Sequence, residues 1–176
     1  MKAFKHLILF ALVLLPLARV SAGSWYDDPA EHLFSGQGSH KPWQEQKLHL
    51  PVYPGRSGLL HLPSYNSDFG YFIDPASISI GQSDHVVRYT VVIAAPSGVR
   101  NVRYEGMRCD TRAYKMYAFG VDDGPFHRFY DARWQVIAGR GHNRYRKDLE
   151  SDFCNGAYPR RSVAQIIERI KYPPGQ

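Results

Sequence analysis

Only two cysteines occur in the 176 residues, Cys109 and Cys154. That excludes a cysteine-dense scaffold. Neither has a second cysteine or a nearby histidine at the spacing of a zinc site, and no metal or cofactor is implied. Apolar runs are equally scarce. The longest, Leu7 to Leu17, is followed by nothing that reaches the roughly 20 apolar residues a membrane-spanning helix needs. No P-loop, G-x-G-x-x-G, G-x-S-x-G or H-E-x-x-H is present. Their absence removes the common signatures of nucleotide binding, serine hydrolysis and zinc proteolysis. No internal repeat is visible.

What is present begins with "MKAFKHLILFALVLLPLARVSA". Lys2 and Lys5 lead, an apolar run follows, and Val20-Ser21-Ala22 supplies small residues for cleavage. This predicts a secretory signal peptide over residues 1–22, cut near Ala22/Gly23. An uncleaved anchor is the rival reading. No cysteine follows the cut, which argues against a lipid anchor. The expectation is an exported chain that does not span the membrane.

The leader carries Lys2, Lys5 and Arg19 and no acid, so the net charge of +6 falls to +3 without it. The remainder is lopsided. Gly23 to Ser97 has four bases against seven acids, and Gly98 to Gln176 has fifteen against nine. Most of that excess is arginine, which suits planar recognition of carboxylate and phosphate. The plain alternative is a solvated surface.

In an oxidising compartment the default for two cysteines is one disulfide. Free or catalytic thiols and a metal site are the alternatives. A bond from Cys109 to Cys154 would close forty-five residues and stabilise by ~4 kcal/mol in the chain-entropy account.

Residues 23–68 are broken by Pro and Gly, as in "LPVYPGRSGLLHLP", yet hold Trp25, Trp43, Tyr53, Leu59 and Leu60. They read as an extended arm lying over a domain, or as an arm that binds another protein. A single α+β domain is expected over 69–172, with a tail at 173–176. Within it "YFIDPASISIG" reads as two short strands about a turn at Asp74-Pro75. Val87, Tyr89, Val91 and Ile93 alternate with Arg88, Thr90 and Val92, the period of a strand. "APSG" turns the chain into a second strand from Val99 to about Cys109. Strands follow at Tyr114–Gly120 and Arg133–Ala138. The expected sheet is an antiparallel meander of four to five strands, packed against two C-terminal helices. The first helix runs from about Asn143 to Cys154 with a Tyr145, Leu149, Phe153 stripe. The second opens on a Ser162/Gln165 capping box and carries Val163, Ile166, Ile167 and Ile170 on one face.

Two basic stretches are candidate binding surfaces. Side chains on a strand alternate between faces. Arg100 and Arg108 therefore share a face, open to Arg112 or Lys115 across the hairpin, while Arg103 goes with Cys109. Ion pairing with Glu105, Asp110 and their neighbours is the plain alternative. The second stretch, "RGHNRYRKD", places Arg140 and Arg144 at a helix start, where cations oppose the helix dipole. His127 and His142 are the candidates for a general base, although a structural role suits them as well. "RYEGMRCDTRAYKMY" interleaves basic and aromatic residues as nucleic-acid binders do. Export removes nucleic acid as a partner and favours envelope polymers or lipid phosphates.

The run "YFIDPASISIGQSDHVVRYTVVIAAPSGVRNVRYEGMRCDTRAYKMYAFG", with the later "RYRKDLESDFC", resembles the neisserial cryptic protein-like family of exported Gram-negative proteins. The likeness covers about Leu50 to Cys154. It implies a periplasmic address and the Cys109–Cys154 pairing. It supplies no catalytic residue. The sequence thus points to a non-enzymatic binding or assembly module of the cell envelope, with an envelope protein or an anionic envelope polymer as partner. The alternative is a small periplasmic hydrolase using histidine, carboxylate and arginine on an anionic substrate.

Overall fold

The computed structural model describes residues 42–63 and 68–173, apart from the side chain of His142. The expected signal peptide, the arm up to Lys41 and the last three residues lie outside them.

Two strands of the expected alternation dominate. β3 (Val87–Ala94) pairs antiparallel with β4 (Arg100–Arg108), and β4 with β5 (Ala113–Val121). β2 (Gly70–Ile80) flanks β3, and the short β1 (Leu60–Leu62) forms one edge. On the far side of β5, β6 (His127–Arg128) and β7 (Gln135–Val136) pair with its two ends. The result is one antiparallel sheet in the order β1-β2-β3-β4-β5-β6, with β7 also on β5.

A 3-10 turn (Gly141–Asn143) leads into α1 (Tyr145–Phe153). A two-stranded hairpin of β8 (Cys154–Asn155) and β9 (Tyr158–Pro159) then precedes α2 (Val163–Lys171). The α+β class expected from the sequence is what is found.

Three expected elements differ in detail. Residues 70–80 are one strand, not two about a turn. Its register slips between Asp74 and Ser79, so Asp74-Pro75 sits in a bulge. Local bonds hold that bulge: Asp74 Oδ1 accepts from Ala76 N at 3.1 Å, and Ser77 Oγ donates to the Asp74 carbonyl at 2.8 Å and accepts from Thr90 N at 2.7 Å. Pro75 has no N–H to give, and a bulge asks for none. The strand expected at 133–138 shrinks to Gln135–Val136. The first helix begins at Tyr145, after the 3-10 turn.

Strand alternation divides the core. Odd-numbered residues of β3 and β4 face the helices. Tyr71, Ile73, Val87, Tyr89, Val91 and Met107 pack there against Tyr145, Leu149, Phe153, Ile166 and Ile170, all buried. Tyr71 stacks on Tyr145 at 5.0 Å, and Tyr89 meets Phe153 edge-on at 4.8 Å. Each such side chain contributes roughly 1.5–3 kcal/mol on burial. The Tyr145, Leu149, Phe153 stripe expected from sequence is the contact face of α1. Ser162 caps α2 as expected, accepting from Gln165 N at 3.2 Å, while Gln165 Oε1 accepts from Arg161 N. Cys109 and Cys154 are disulfide-bonded, tying the end of β4 to the end of α1.

Even-numbered residues of β4 face the other way. Tyr104, Tyr117 and Ala118 form a smaller core there, covered by Leu48, Leu50 and Phe126. Residues 42–56 lie across this face as a strap. Trp43 Nε1 donates to the Asp84 carbonyl at 3.1 Å, and Gln46 N donates to Asp84 Oδ2 at 2.8 Å. Tyr53 Oη donates to the Asp122 carbonyl at 3.0 Å.

Candidate binding groove

The helices cover only part of the sheet. Their layer stops at Arg146, and beyond it β4 and β5 are open. There the chain forms a groove of about 380 Å³. Its floor follows from strand register: Arg103 pairs with Phe119 and Asn101 with Val121, so all four point to the same side. Tyr114 and Met116 extend the floor, Phe129 and Gln135 wall one side, and Asn143 and Arg146 close the other.

Large apolar groups line it in the open. Phe119 is 40% exposed, Val121 51% and Phe129 38%. Phe119 and Phe129 meet edge to face at 6.4 Å. Tyr114 is held in place at both ends. Its hydroxyl donates to Gln135 Oε1 at 2.7 Å, and the Arg146 guanidinium lies 3.8 Å over its ring.

Three arginines reach this groove, and they differ. Arg146 is spent on Glu105, which is fully buried behind it, through Nε at 2.9 Å and Nη2 at 2.5 Å. The Tyr89 and Tyr145 hydroxyls donate to the same carboxylate at 2.9 and 3.0 Å. Burial, and after it the Glu105 charge, pushes both tyrosine pKa values well up, so both stay protonated donors. Arg133 pairs with Asp131 at 2.9 Å. Arg103 has no ion pair or side-chain hydrogen bond among the described residues. Among the described residues no carboxylate lines the groove. It is a positive, partly aromatic surface with one arginine unspent.

Residues 38–171 match the model of the CNP1-like family. The chain belongs to the CNP1-like family. The matched segment spans the strap, the sheet, both cysteines and both helices, and so extends past the part for which the sequence showed a resemblance. No curated protein and no solved structure matches the chain significantly.

Within this CNP1-like chain the basic residues singled out from sequence are dispersed. Arg100 and Arg108 do share a face, but it is the strap face. Arg100 bonds Asp123 Oδ1 at 3.0 Å and the Gly55 carbonyl at 2.9 Å. Arg108 pairs with Asp110 at 2.8 Å and stacks 3.9 Å over Trp43. Lys115 pairs with Glu45 at 2.8 Å on the same face. Arg112, at a positive φ of 53°, turns to Glu150 at 2.6 Å. Arg140 and Arg144 are exposed at the start of α1, Arg144 as its N-cap without a side-chain bond. His127 tilts against Phe119 at 5.8 Å, and the side chain of His142 is outside the described residues.

Sequence reasoning left Arg103 and Phe119 out of the candidate set. Arg103 was separable from Arg100 and Arg108 by parity alone. Pairing it with Phe119 needs the bulge between Tyr104 and Glu105, which shifts the β4–β5 register by one residue. Among the described residues no group of three or more metal-ligating side chains gathers, and no helix is long and apolar enough to cross a membrane.

Proposed function

We propose that this protein is an exported, non-enzymatic binding module of the cell envelope, and that the groove over β4 and β5 takes an amphiphilic anion. The ligand's charged group meets Arg103 and its apolar body lies along Phe119, Met116 and Phe129. The observation that carries this reading is Arg103, which has no acidic partner among the described residues, beside an exposed phenylalanine in a groove that no described carboxylate lines. An apolar concavity with a few converging polar groups is the usual form of a small-molecule site. The disulfide is compatible with the periplasmic address implied by the leader. The hydrolase alternative needs histidine and carboxylate beside an arginine, and no carboxylate lines the groove among the described residues.

The test is displacement of the anionic fluorophore anilinonaphthalene sulfonate by laurate or by dodecanol. Laurate should displace the dye from the wild type. Arg103→Gln should weaken laurate about tenfold, the cost of one charge-assisted hydrogen bond, and leave dodecanol unchanged. Phe119→Ala should weaken both. Laurate binding equal in all three proteins would remove the groove as the site.

A further inference from the structure

A second cavity lies where the β8–β9 hairpin meets α2. It has a volume of about 420 Å³ and is lined by Asn155, Arg160, Arg161, Gln165, Glu168 and Arg169. Three of six lining residues are arginines and one is an acid.

The fold uses Arg160 and Arg169 only in part and leaves the Arg161 side chain without a bond among the described residues. Arg160 caps the end of α1, donating through Nε to the Asp152 carbonyl at 2.6 Å and through Nη2 to the Ser151 carbonyl at 2.9 Å. A cation there complements the helix dipole. Its other Nη has no acceptor among the described residues. Arg161 is exposed, and its side chain has no hydrogen bond or ion pair among them. Arg169 Nε is buried without a hydrogen-bond partner and makes only a loose ion pair with Asp152 Oδ1 at 4.0 Å. Partial burial, and then the Arg169 charge, lowers the Arg160 pKa. The two guanidiniums repel across the cavity. Gln165 Oε1 is used by Arg161 N, which leaves its amide nitrogen free to donate.

We infer that this cavity is an anion site for a phosphoryl group, held by Arg161 and Arg169 with Asn155 and Gln165 as neutral donors. Guanidinium forks match phosphate oxygens two at a time, and an incoming anion would quench the repulsion. Asp152 sets the strength of the site from behind. Its carboxylate faces Arg169 of α2, Arg160 after β9 and Asp148 of α1, and opposes an incoming anion when ionised.

The same chemistry is offered by a lipid headgroup and by a soluble phosphoryl compound. The test uses inorganic phosphate, followed by amide NMR shifts at constant ionic strength in sodium chloride, and sedimentation with phosphatidylglycerol or phosphatidylcholine vesicles. Millimolar phosphate should shift the amides of Asn155, Arg161 and Gln165 at pH 7. Arg161→Gln and Arg169→Gln should each weaken binding about tenfold, and the exposed Arg161→Gln chain should keep its Tm. Asp152→Asn should tighten it, and Arg103→Gln should not change it, which separates this site from the groove. Sedimentation with phosphatidylglycerol alone, lost in Arg161→Gln, would assign a lipid headgroup. Phosphate shifts without sedimentation would assign a soluble ligand. Either supports the site. Binding by neither probe, or binding unchanged in both arginine variants, overturns it.

Discussion

Arg146 and Glu105 form a two-point ion pair sealed between α1 and the sheet, with side chains 2% and 0% exposed. The carboxylate is a cross-strand neighbour of Tyr89 and Met116, in the middle of the helix-facing core. It is tolerated there because two tyrosine hydroxyls and one guanidinium saturate it.

Breaking this pair from one side strands a charge. Arg146→Met should destabilise the protein by about 3–5 kcal/mol in chemical denaturation, because Glu105 is left buried with only two neutral donors. Glu105→Gln combined with Arg146→Met should cost less than the two single changes together, by about 1–3 kcal/mol of coupling. Strict additivity would mean that the pair is not a unit.

The two glycines under aromatic rings give a second prediction. A Cβ on Gly106 would lie 2.5 Å from the Tyr117 hydroxyl and 2.8 Å from its ring, and one on Gly120 would meet Tyr53 at 2.6 Å. Tyr117 donates to Glu45 and Tyr53 to Asp122, so both rings also fasten the strap. Gly106→Ala should cost about 1–3 kcal/mol as an overpacked contact and raise amide exchange in residues 42–50. Unchanged exchange there would show that the strap does not depend on Tyr117.

Much of this architecture is legible before any coordinates. The alternation in β3, the 3.6-residue stripe of α1 and the Ser162 cap are local patterns, and each appears where expected. The strap is less so. Its anchors are Trp43 on Asp84 and Glu45 on Lys115, separated in sequence by 41 and 70 residues, and no local period encodes them. The groove is hardest. Arg103 and Phe119 converge only after a bulge shifts β5, and the opening lies beside the start of α1, whose cover of the sheet begins only at Tyr145 and Arg146. Arg100, Arg108, Arg112 and Lys115 looked alike in sequence. What separates them from Arg103 is an acid within reach, brought by the fold to Arg100, Arg112 and Lys115 and by the local chain to Arg108.

The disulfide closes a loop of forty-five residues around β5 and α1. Cys109→Ser with Cys154→Ser should destabilise by about 4 kcal/mol if loop entropy dominates. Both sulfurs sit in buried residues, so reduction of the native protein should lag behind reduction in urea. Mass before and after alkylation measures both. The same spectrum of the protein recovered from whole cells should begin at Gly23, the end that a cut leader leaves.

Asp152 predicts an unusual pH response. Burial raises its pKa to about 6, against opposing Arg169 and Arg160 charges and with a small push from Asp148. An acid with a folded pKa above its unfolded value binds its proton more tightly in the folded chain. Its contribution therefore favours folding as pH falls from about 7 toward 4, the reverse of a salt-bridged carboxylate. Glu150 is such a carboxylate. Arg112 and Lys147 outweigh its burial and hold its pKa low, so its contribution is lost as pH falls through that lowered value. Asp152→Asn removes the first response and leaves the second. The variant should be more stable than wild type at pH 7.5, by about 1 kcal/mol once solvent screening is allowed for, and the difference should shrink as pH falls through 6 and close only below the ordinary carboxylate value of 3.8. Denaturant midpoints across that range decide it. A gap that stays constant with pH would mean that the substitution acts through packing, and that Asp152 carries no raised pKa.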